Sequence, residues 1–241
     1  MSTMDAVPAL LMLADARLPA GGHAHSGGVE AAIGAGLIDD LASLELFLRG
    51  RLRTAGAVAA TLAAAAAEAA AAQGDQRRET AGNRAVDRRG SPGGSSGGLR
   101  ELDAEADARM PSPAQRAASR QQGRALLRAA RTAWSSVHFG QLASTPGGPH
   151  HPIVLGVAAA AAGATPRGAA YVAAYLAVSG PASAAVRLRG FDPLAVNALL
   201  AGLAPEIDTV AALDGLAAAS TPRLDLLAEV HARSEVRLFA S

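Results

Sequence analysis

Proline placement in the second half of the chain limits the fold more than any other feature. Four prolines each follow a residue whose side chain can cap a helix, in the pairs Ser112-Pro113, Thr165-Pro166, Asp192-Pro193 and Thr221-Pro222. Proline suits the first helical position because its missing N–H has no partner inside the helix there, and the preceding side chain accepts a bond from a free N–H. No stretch alternates apolar and polar residues as strands do. The pattern predicts an all-α protein.

The amino-acid composition favours the same class. Hydrophobic residues make up 50% of the 241 residues, mostly as alanine, while aromatic residues make up 3%. Alanine is the best helix former, whereas β-branched and aromatic residues favour strands. Leu41, Leu44, Leu48 and Leu52 keep helical spacing, with Asp39 and Asp40 before them as caps. We predict one domain over residues 1–241, a single-domain helical bundle of about ten closely packed helices.

One segment departs from this helical pattern. A helix is predicted to run through the alanine tract to Ala72, but residues 74–98 are polar and charged and end in Ser91-Pro-Gly-Gly-Ser-Ser-Gly-Gly98. Such a composition buries too little apolar surface to offset the entropy lost on ordering. We predict a flexible insertion over residues 74–98 that does not divide the protein into two domains.

The N-terminus and the apolar stretches predict a cytoplasmic protein that contacts no membrane. The N-terminus lacks the basic region and long apolar run of a secretory signal. The stretch from Gly168 to Val186 carries no charge, but its alanines are weakly apolar and Ser179, Pro181 and Ser183 interrupt them. We predict a buried helix that Pro181 kinks or splits.

The missing residue types exclude several chemistries. The chain has no cysteine, and all 22 of its basic residues are arginine. Disulfides, thiolate metal sites, a cysteine nucleophile, a P-loop lysine and a Schiff-base lysine are therefore excluded. The net charge of +1 gives no general attraction for nucleic acid. No catalytic motif is present, so we predict a protein that is not an enzyme and needs no cofactor.

Two groups of residues are candidates for binding. Arg116, Arg120, Arg124 and Arg128 recur every four residues around Gly123, which places them on one helix face. This arginine stripe is either a solvated face or a docking surface for an acidic partner or a second copy. The other group is histidine. His23 and His25 form a candidate nickel or zinc pair, or a packed pair in a turn, whereas the pair His150-His151 is predicted to be exposed to solvent.

The C-terminal segment 234–241 is unusually apolar for a chain end. It contains Val236, Leu238 and Phe239 beside Arg237, although chain ends are normally polar and frayed. Two explanations fit, namely packing onto the domain itself or ordering by a partner. We predict that this tail docks into a partner and is poorly ordered without it.

Several separated motifs resemble those of one known family. The segment Leu18-Pro-Ala-Gly-Gly-His-Ala-His-Ser-Gly-Gly-Val-Glu30 resembles the N-terminal signature of the urease accessory protein UreF family. Further similar segments follow in the same order, namely Leu44-Glu-Leu-Phe-Leu48, Glu101-Leu-Asp-Ala104, Ser119-Arg-Gln-Gln-Gly-Arg-Ala-Leu-Leu127, His151-Pro-Ile-Val-Leu-Gly156, Ala184-Ala-Val-Arg-Leu188 and Arg237-Leu-Phe239. The resemblance covers nearly the whole chain except residues 74–98.

The resemblance implies an all-helical, dimeric co-chaperone scaffold for nickel insertion into apo-urease. The implied partners are UreD (also called UreH) and the GTPase UreG. The scaffold is expected to bridge these two proteins and to modulate GTP use by UreG. We expect the partner-binding residues to be Gly21, Gly22, Ser26, Glu30, Arg120, Gly123, Arg124, Arg237, Leu238, Phe239 and Ser241. The alternative is a nickel-binding metallochaperone that uses His23 and His25. A third hypothesis is a helical enzyme, but the sequence contains no recognisable group of catalytic residues to support it.

Overall fold

Helices joined by short turns make up the described part of the protein. The computed structural model describes residues 6–15, 17–20, 25–83, 97–135, 139–234 and 238–239. The α-helices are α1 (Val7–Ala14), α2 (Val29–Gly34), α3 (Leu41–Arg51), α4 (Ala57–Asn83), α5 (Gly97–Ala108), α6 (Pro113–Ala133), α7 (Gly140–Ala143), α8 (His151–Ala161), α9 (Pro166–Arg189), α10 (Pro193–Gly202), α11 (Ala204–Ala211) and α12 (Pro222–Ala232). No strand forms within these ranges, and the predicted all-α, single-domain fold is confirmed.

The predicted helix starts are correct. Proline occupies the first turn of α6, α9, α10 and α12. The capping bonds run from the Gln115 N–H to Ser112 Oγ at 3.2 Å, from the Gly168 N–H to Thr165 Oγ1 at 3.1 Å, and from the Leu194 N–H to Asp192 Oδ1 at 3.1 Å. Thr221 precedes α12 without a side-chain cap. Asp40 caps α3, where it forms a reciprocal capping box with Ser43.

Small residues bring the central helices into close contact. Helix α4 packs against α8 and α9 to form the middle of the bundle. Ala63, Ala66 and Ala67 of α4 are at most 1% exposed. A Cβ atom on Gly156 of α8 would lie 2.2 Å from the Ala63 carbonyl oxygen, so the two backbones touch at this point. The alanine-rich composition therefore serves close helix packing, as predicted.

The alanine-tract helix is longer than the sequence predicted. A π-helical turn, Leu52–Gly56, joins α3 directly to α4, and α4 continues to Asn83. Residues 74–83 of the predicted insertion are thus helical. Gln, Arg, Glu and Ala propagate an existing helix at little cost, which explains the extension. Residues 97–98 already belong to α5, and residues 84–96 lie outside the described residues, so the flexibility of the remaining insertion stays a prediction.

Pro181 lies inside α9, which runs unbroken from Pro166 to Arg189, so of the two predicted outcomes, a kink or a split, the split does not occur. A proline has no N–H to donate to the carbonyl four residues earlier, which here is Ala177. The Arg51 side chain replaces the missing donor, since its Nε atom donates to the Ala177 oxygen at 2.9 Å. A cation from the end of α3 thereby completes the hydrogen bonding of α9.

Some of these helices are also apolar enough to cross a membrane. By length and composition alone this holds for Leu41–Gln76 and Pro166–Arg189, and α10 with α11 would count as a third span if that bent pair is taken together. In the fold, 50% of the most apolar window of the first helix and 61% of that of the second are buried inside the protein. Packing within the bundle therefore accounts for much of this apolar surface.

Candidate functional site

A wide groove runs between α1, α6, α9 and α12 and reaches the π-helical turn before α4. Its volume is ≈ 1290 Å³, above the roughly 300–1,000 Å³ of typical small-molecule sites. Apolar lining residues include Val7, Leu10, Leu11, Leu62, Tyr175 and Leu176. Polar side chains in the lining include His25, Arg51, Ser119, His151, Ser179 and Ser183. We call this feature the α9 groove, and its size suits a protein segment.

The glycine turn before α2 forms part of this groove. Gly27 and Gly28 have positive φ angles of 59° and 87°, a conformation that favours glycine. A Cβ atom on Gly27 would lie 2.8 Å from Pro181 Cγ, so this glycine also lets the turn approach α9. Ser26 is fully buried, and its Oγ atom accepts a long 3.5 Å bond from the Glu30 N–H. Gly21, Gly22 and His23 lie outside the described residues.

His25 and His151 face the same groove from different segments. His25 is 5% exposed. Burial lowers the pKa of His151 to about 4, and the nearby His25 lowers it further in the same direction. Both facts place the two imidazoles close together in a poorly solvated region. His25, one residue of the predicted pair, therefore lines the groove together with a histidine that is far away in sequence.

His150 is fully buried, so its predicted exposure is wrong. Its backbone N–H donates to Asp103 Oδ1 at 2.8 Å, and its Nε2 and Nδ1 atoms lie 2.9 Å from Asp107 Oδ1 and 3.0 Å from Ser119 Oγ. Burial lowers the pKa of His150, so its Nε2–H donates to Asp107 while Nδ1 accepts from the Ser119 hydroxyl. These bonds fix the turn before α8 against α5 and α6.

The ligand atoms of Asp103, Asp107 and His150 all lie within 4.8 Å of one another, a spacing that suits a metal ion. In this structure the Arg120 guanidinium already neutralises both carboxylates, at 3.0 Å from Asp103 Oδ2 and 2.5 Å from Asp107 Oδ2. Burial alone raises the pKa of Asp107, but the bonds from His150 and Arg120 outweigh it and the pKa is lowered. We call this group the α5–α6 ion cluster, and its geometry is that of a structural network.

The arginine stripe divides between interior and surface. Arg120 belongs to the α5–α6 ion cluster and also bonds the Gly148 carbonyl, while Arg124 bonds the Gly147 carbonyl. A Cβ atom on Gly123 would lie 2.0 Å from the Pro149 oxygen, so Gly123 packs directly against the turn before α8. The prediction of one continuous surface stripe is therefore wrong, because this turn covers its middle. Arg128 is exposed, and partner binding by the stripe remains a prediction.

The end of the chain packs partly onto its own domain. The N–H groups of Leu238 and Phe239 donate to the two Glu30 carboxylate oxygens at 2.9 and 3.0 Å. The Phe239 ring is 9% exposed, and the Arg187 guanidinium stacks on it at 4.5 Å from the ring centre. Phe239 thus packs against its own domain, and the predicted dependence of the tail's order on a partner stays a prediction. Leu238 is 75% exposed and stays a candidate partner contact, while Arg237 and Ser241 lie outside the described residues.

Sequence reasoning missed two important residues, Arg51 and His150. Arg51 belongs to no motif of the sequence, and His150 belongs to a pair that the sequence predicts to be exposed. Pro181 does indicate that such a residue is needed, because a proline inside a helix leaves a carbonyl without its usual N–H donor. The identity of that donor depended on a helix 126 residues away, which no local pattern gives.

Comparisons with known proteins agree on one family. The family model UreF matches residues 38–204 of the chain. The urease accessory protein UreF of Mycolicibacterium vanbaalenii is 42% identical over 240 residues, covering 99% of this chain and all of the relative. Proteins with the same description from Mycobacterium marinum and Mycobacterium tuberculosis are 43% and 39% identical with the same coverage.

Proposed function

The chain belongs to the UreF family of urease accessory proteins, and we propose that it is a non-catalytic co-chaperone for nickel insertion into apo-urease. In this proposal it works in the cytoplasm as a homodimer, bridges UreD (or UreH) and the GTPase UreG, and modulates GTP use by UreG. The observation that carries the proposal is the match to UreF proteins at 39–43% identity along 99% of the chain.

Apolar side chains on the surface support a scaffold role. Leu226 and Val230 of α12 are 69% and 65% exposed, and Leu238 of the tail is 75% exposed. Exposed apolar groups that lie close together often mark protein interaction sites. Leu226 and Val230 are four residues apart and share one face of α12, which gives a partner an apolar surface to cover.

Maturation of urease in a heterologous host tests this proposal. Urease subunits are expressed with the UreD-type and UreG-type proteins of the same organism, with or without this chain, and the nickel content of purified urease is measured. We expect nickel loading and urease activity to depend on this chain, and the chain to co-purify with both accessory proteins. Equal nickel content in its absence would show that the proposed role is wrong.

The nickel-carrier alternative keeps one supporting observation. His25 and His151 lie near each other in the α9 groove, and burial keeps the His151 imidazole neutral, the form that binds metal ions. Equilibrium dialysis of the isolated protein against Ni²⁺ tests this alternative, with His25→Ala and His151→Ala as the variants. The carrier hypothesis, which names His23 and His25, requires bound nickel that His25→Ala releases, and release by His151→Ala would add His151 to the ligands. A pure scaffold binds no nickel at these histidines.

A further inference from the structure

The α9 groove contains a cation whose charge no carboxylate of the described residues neutralises. Arg51 is mostly buried, and its bond to the Ala177 carbonyl uses only Nε. In the described part of the chain no aspartate or glutamate lies within ion-pair distance of its Nη atoms. Burying an unpaired charge is costly, and the same burial lowers the pKa of Arg51 to about 10.

Other arginines of the groove already have partners. Arg17 pairs with Asp15 at 2.8 Å, and Arg109 pairs with Glu105. Arg187 stacks on the Phe239 ring. Among the lining arginines of the described residues, Arg51 is therefore the one without an anionic or aromatic partner, and its Nη1 and Nη2 atoms form the parallel pair that matches a carboxylate.

The surroundings of Arg51 define the kind of molecule that would carry this carboxylate. Most of the groove lining is apolar, and Leu11 and Tyr175 are 67% and 41% exposed. Ser179 and Ser183, one helical turn apart on α9, add hydroxyl groups to the same lining. A small ion would leave most of this apolar surface exposed to water, whereas an apolar protein segment with one acidic residue covers the surface and neutralises the cation.

We propose that the α9 groove binds an apolar segment of a partner protein, and that an aspartate or glutamate of this segment pairs with Nη1 and Nη2 of Arg51. The proposal rests on the proposed function, since it assigns a binding mode to the scaffold. The occupant is a separate protein, because the lining combines the Arg51 cation, which no carboxylate of the described residues neutralises, with a mostly apolar wall, a combination complementary to such a segment.

The Pro181→Ala variant separates this binding role from the structural role of Arg51. Alanine restores the N–H that the Ala177 carbonyl lacks, so α9 no longer needs Arg51 as a donor. Arg51→Met is then introduced into this variant. Arg53→Met in the same variant is the matched control, because Arg53 is exposed and pairs with Glu206 at 2.9 Å.

Binding to the UreD-type and UreG-type proteins is measured for all three variants. With Pro181→Ala as the reference, we expect its Arg53→Met derivative to bind both partners equally well and its Arg51→Met derivative to bind one partner about tenfold more weakly or worse. Equal binding of both partners by the Arg51→Met derivative overturns the proposal. A change in self-association alone also overturns it, because a second copy would then be the occupant.

A second measurement needs no partner and so separates this proposal from the proposed function. The arginine Nε–Hε NMR signals of the isolated protein are followed during titration with sodium acetate, against sodium chloride at equal ionic strength. We expect acetate to shift the signal that disappears in the Arg51→Met variant more than other arginine signals. If neither partner binds any variant, the proposed scaffold role is wrong. If acetate does not shift the Arg51 signal, the groove does not recognise carboxylates.

Discussion

The side chain of Arg120 lies at the centre of charges buried between α5, α6 and the turn before α8. Its side chain is 15% exposed and that of its partner Asp103 is 6% exposed. Helical periodicity places Arg120 on the same face as Arg116 and Arg124, but the facing carboxylates come from another helix. Removing one partner of a buried pair costs more than the pair contributes, because the remaining charge stays unpaired.

Arg120→Met should therefore destabilise the protein by roughly 3 kcal/mol. Urea unfolding followed by circular dichroism measures this loss. Arg128→Met is the control on the same helix, since Arg128 is exposed and surface substitutions usually change stability by about 0.5 kcal/mol or less. Similar losses of stability in the two variants would show that Arg120 contributes no more to stability than a solvated arginine on the surface of α6.

His151 should make stability depend on pH between 6.5 and 4. Burial lowers its pKa from 6.5 to about 4 in the folded protein, so the unfolded chain binds a proton in this range that the folded protein does not. Stability then falls as the pH falls from 6.5 towards 4. At pH 4 the lowered pKa of His151 reduces the free energy of unfolding by about 3 kcal/mol. The His151→Gln substitution removes this loss of stability.

Unfolding free energies of both proteins, measured in urea from pH 8 to pH 4, test this expectation. The difference between the two curves should be constant above about pH 7, where the imidazole is neutral in both states, and should shift by about 3 kcal/mol in favour of His151→Gln as the pH falls to 4. Curves that stay parallel down to pH 4 would show that His151 titrates normally in the folded protein.

At the scale of elements, the contact between α4 and α8 depends on the absence of a side chain. Gly156 of α8 faces the Ala63 carbonyl, the Ala66 methyl group and the Ala67 nitrogen at 2.2, 2.8 and 2.9 Å from an added Cβ. Two of these three neighbours are backbone atoms, which cannot rotate away. The helices would have to move apart to accept a methyl group.

Gly156→Ala should therefore destabilise the protein by about 1–3 kcal/mol or more, despite the higher helix propensity of alanine. Gly50→Ala is the matched control, because Gly50 lies inside α3 and an added Cβ has no neighbour within 4 Å. That substitution should stabilise the protein by about 0.5–1 kcal/mol. Thermal unfolding of both variants checks the opposite signs, and a stabilising Gly156→Ala would contradict the close contact.

At the scale of the whole molecule, the tail residues Leu238 and Phe239 pack against α2, which is about 200 residues earlier in the sequence. Glu30, at the start of α2, accepts hydrogen bonds from Leu238 and Phe239 and lies 3.3 Å from His231 of α12. One residue of the pair, Phe239, completes the core, and the other, Leu238, remains exposed. Within the tail, Phe239 therefore has a structural role, while the neighbouring Leu238 side chain remains accessible on the surface.

These two neighbours should respond differently to truncation to alanine. Phe239→Ala should reduce stability by about 3–5 kcal/mol, the usual cost of removing a buried ring. Leu238→Ala should leave stability nearly unchanged and weaken co-purification with the UreD-type partner. Thermal unfolding and pull-down of both variants separate the roles. A stable Phe239→Ala variant would support the original prediction that the tail becomes ordered only on a partner.

Local sequence patterns were sufficient to predict the helical class, the starts of the main helices and the family. Capping and helix propensity act over a few residues, so Ser112, Thr165 and Asp192 begin helices wherever those helices later pack. The family was recognisable because its motifs keep their order along the chain.

Tertiary structure alone decided which polar residues are buried and what they bind. Arg120 and Arg128 belong to the same arginine stripe of α6, yet only Arg120 of these two meets carboxylates from α5. Arg51 bonds a carbonyl 126 residues away, and Leu238 bonds a carboxylate 208 residues away. The free energy of a charged side chain depends on the groups that folding places around it, and those groups come from segments that no local pattern connects.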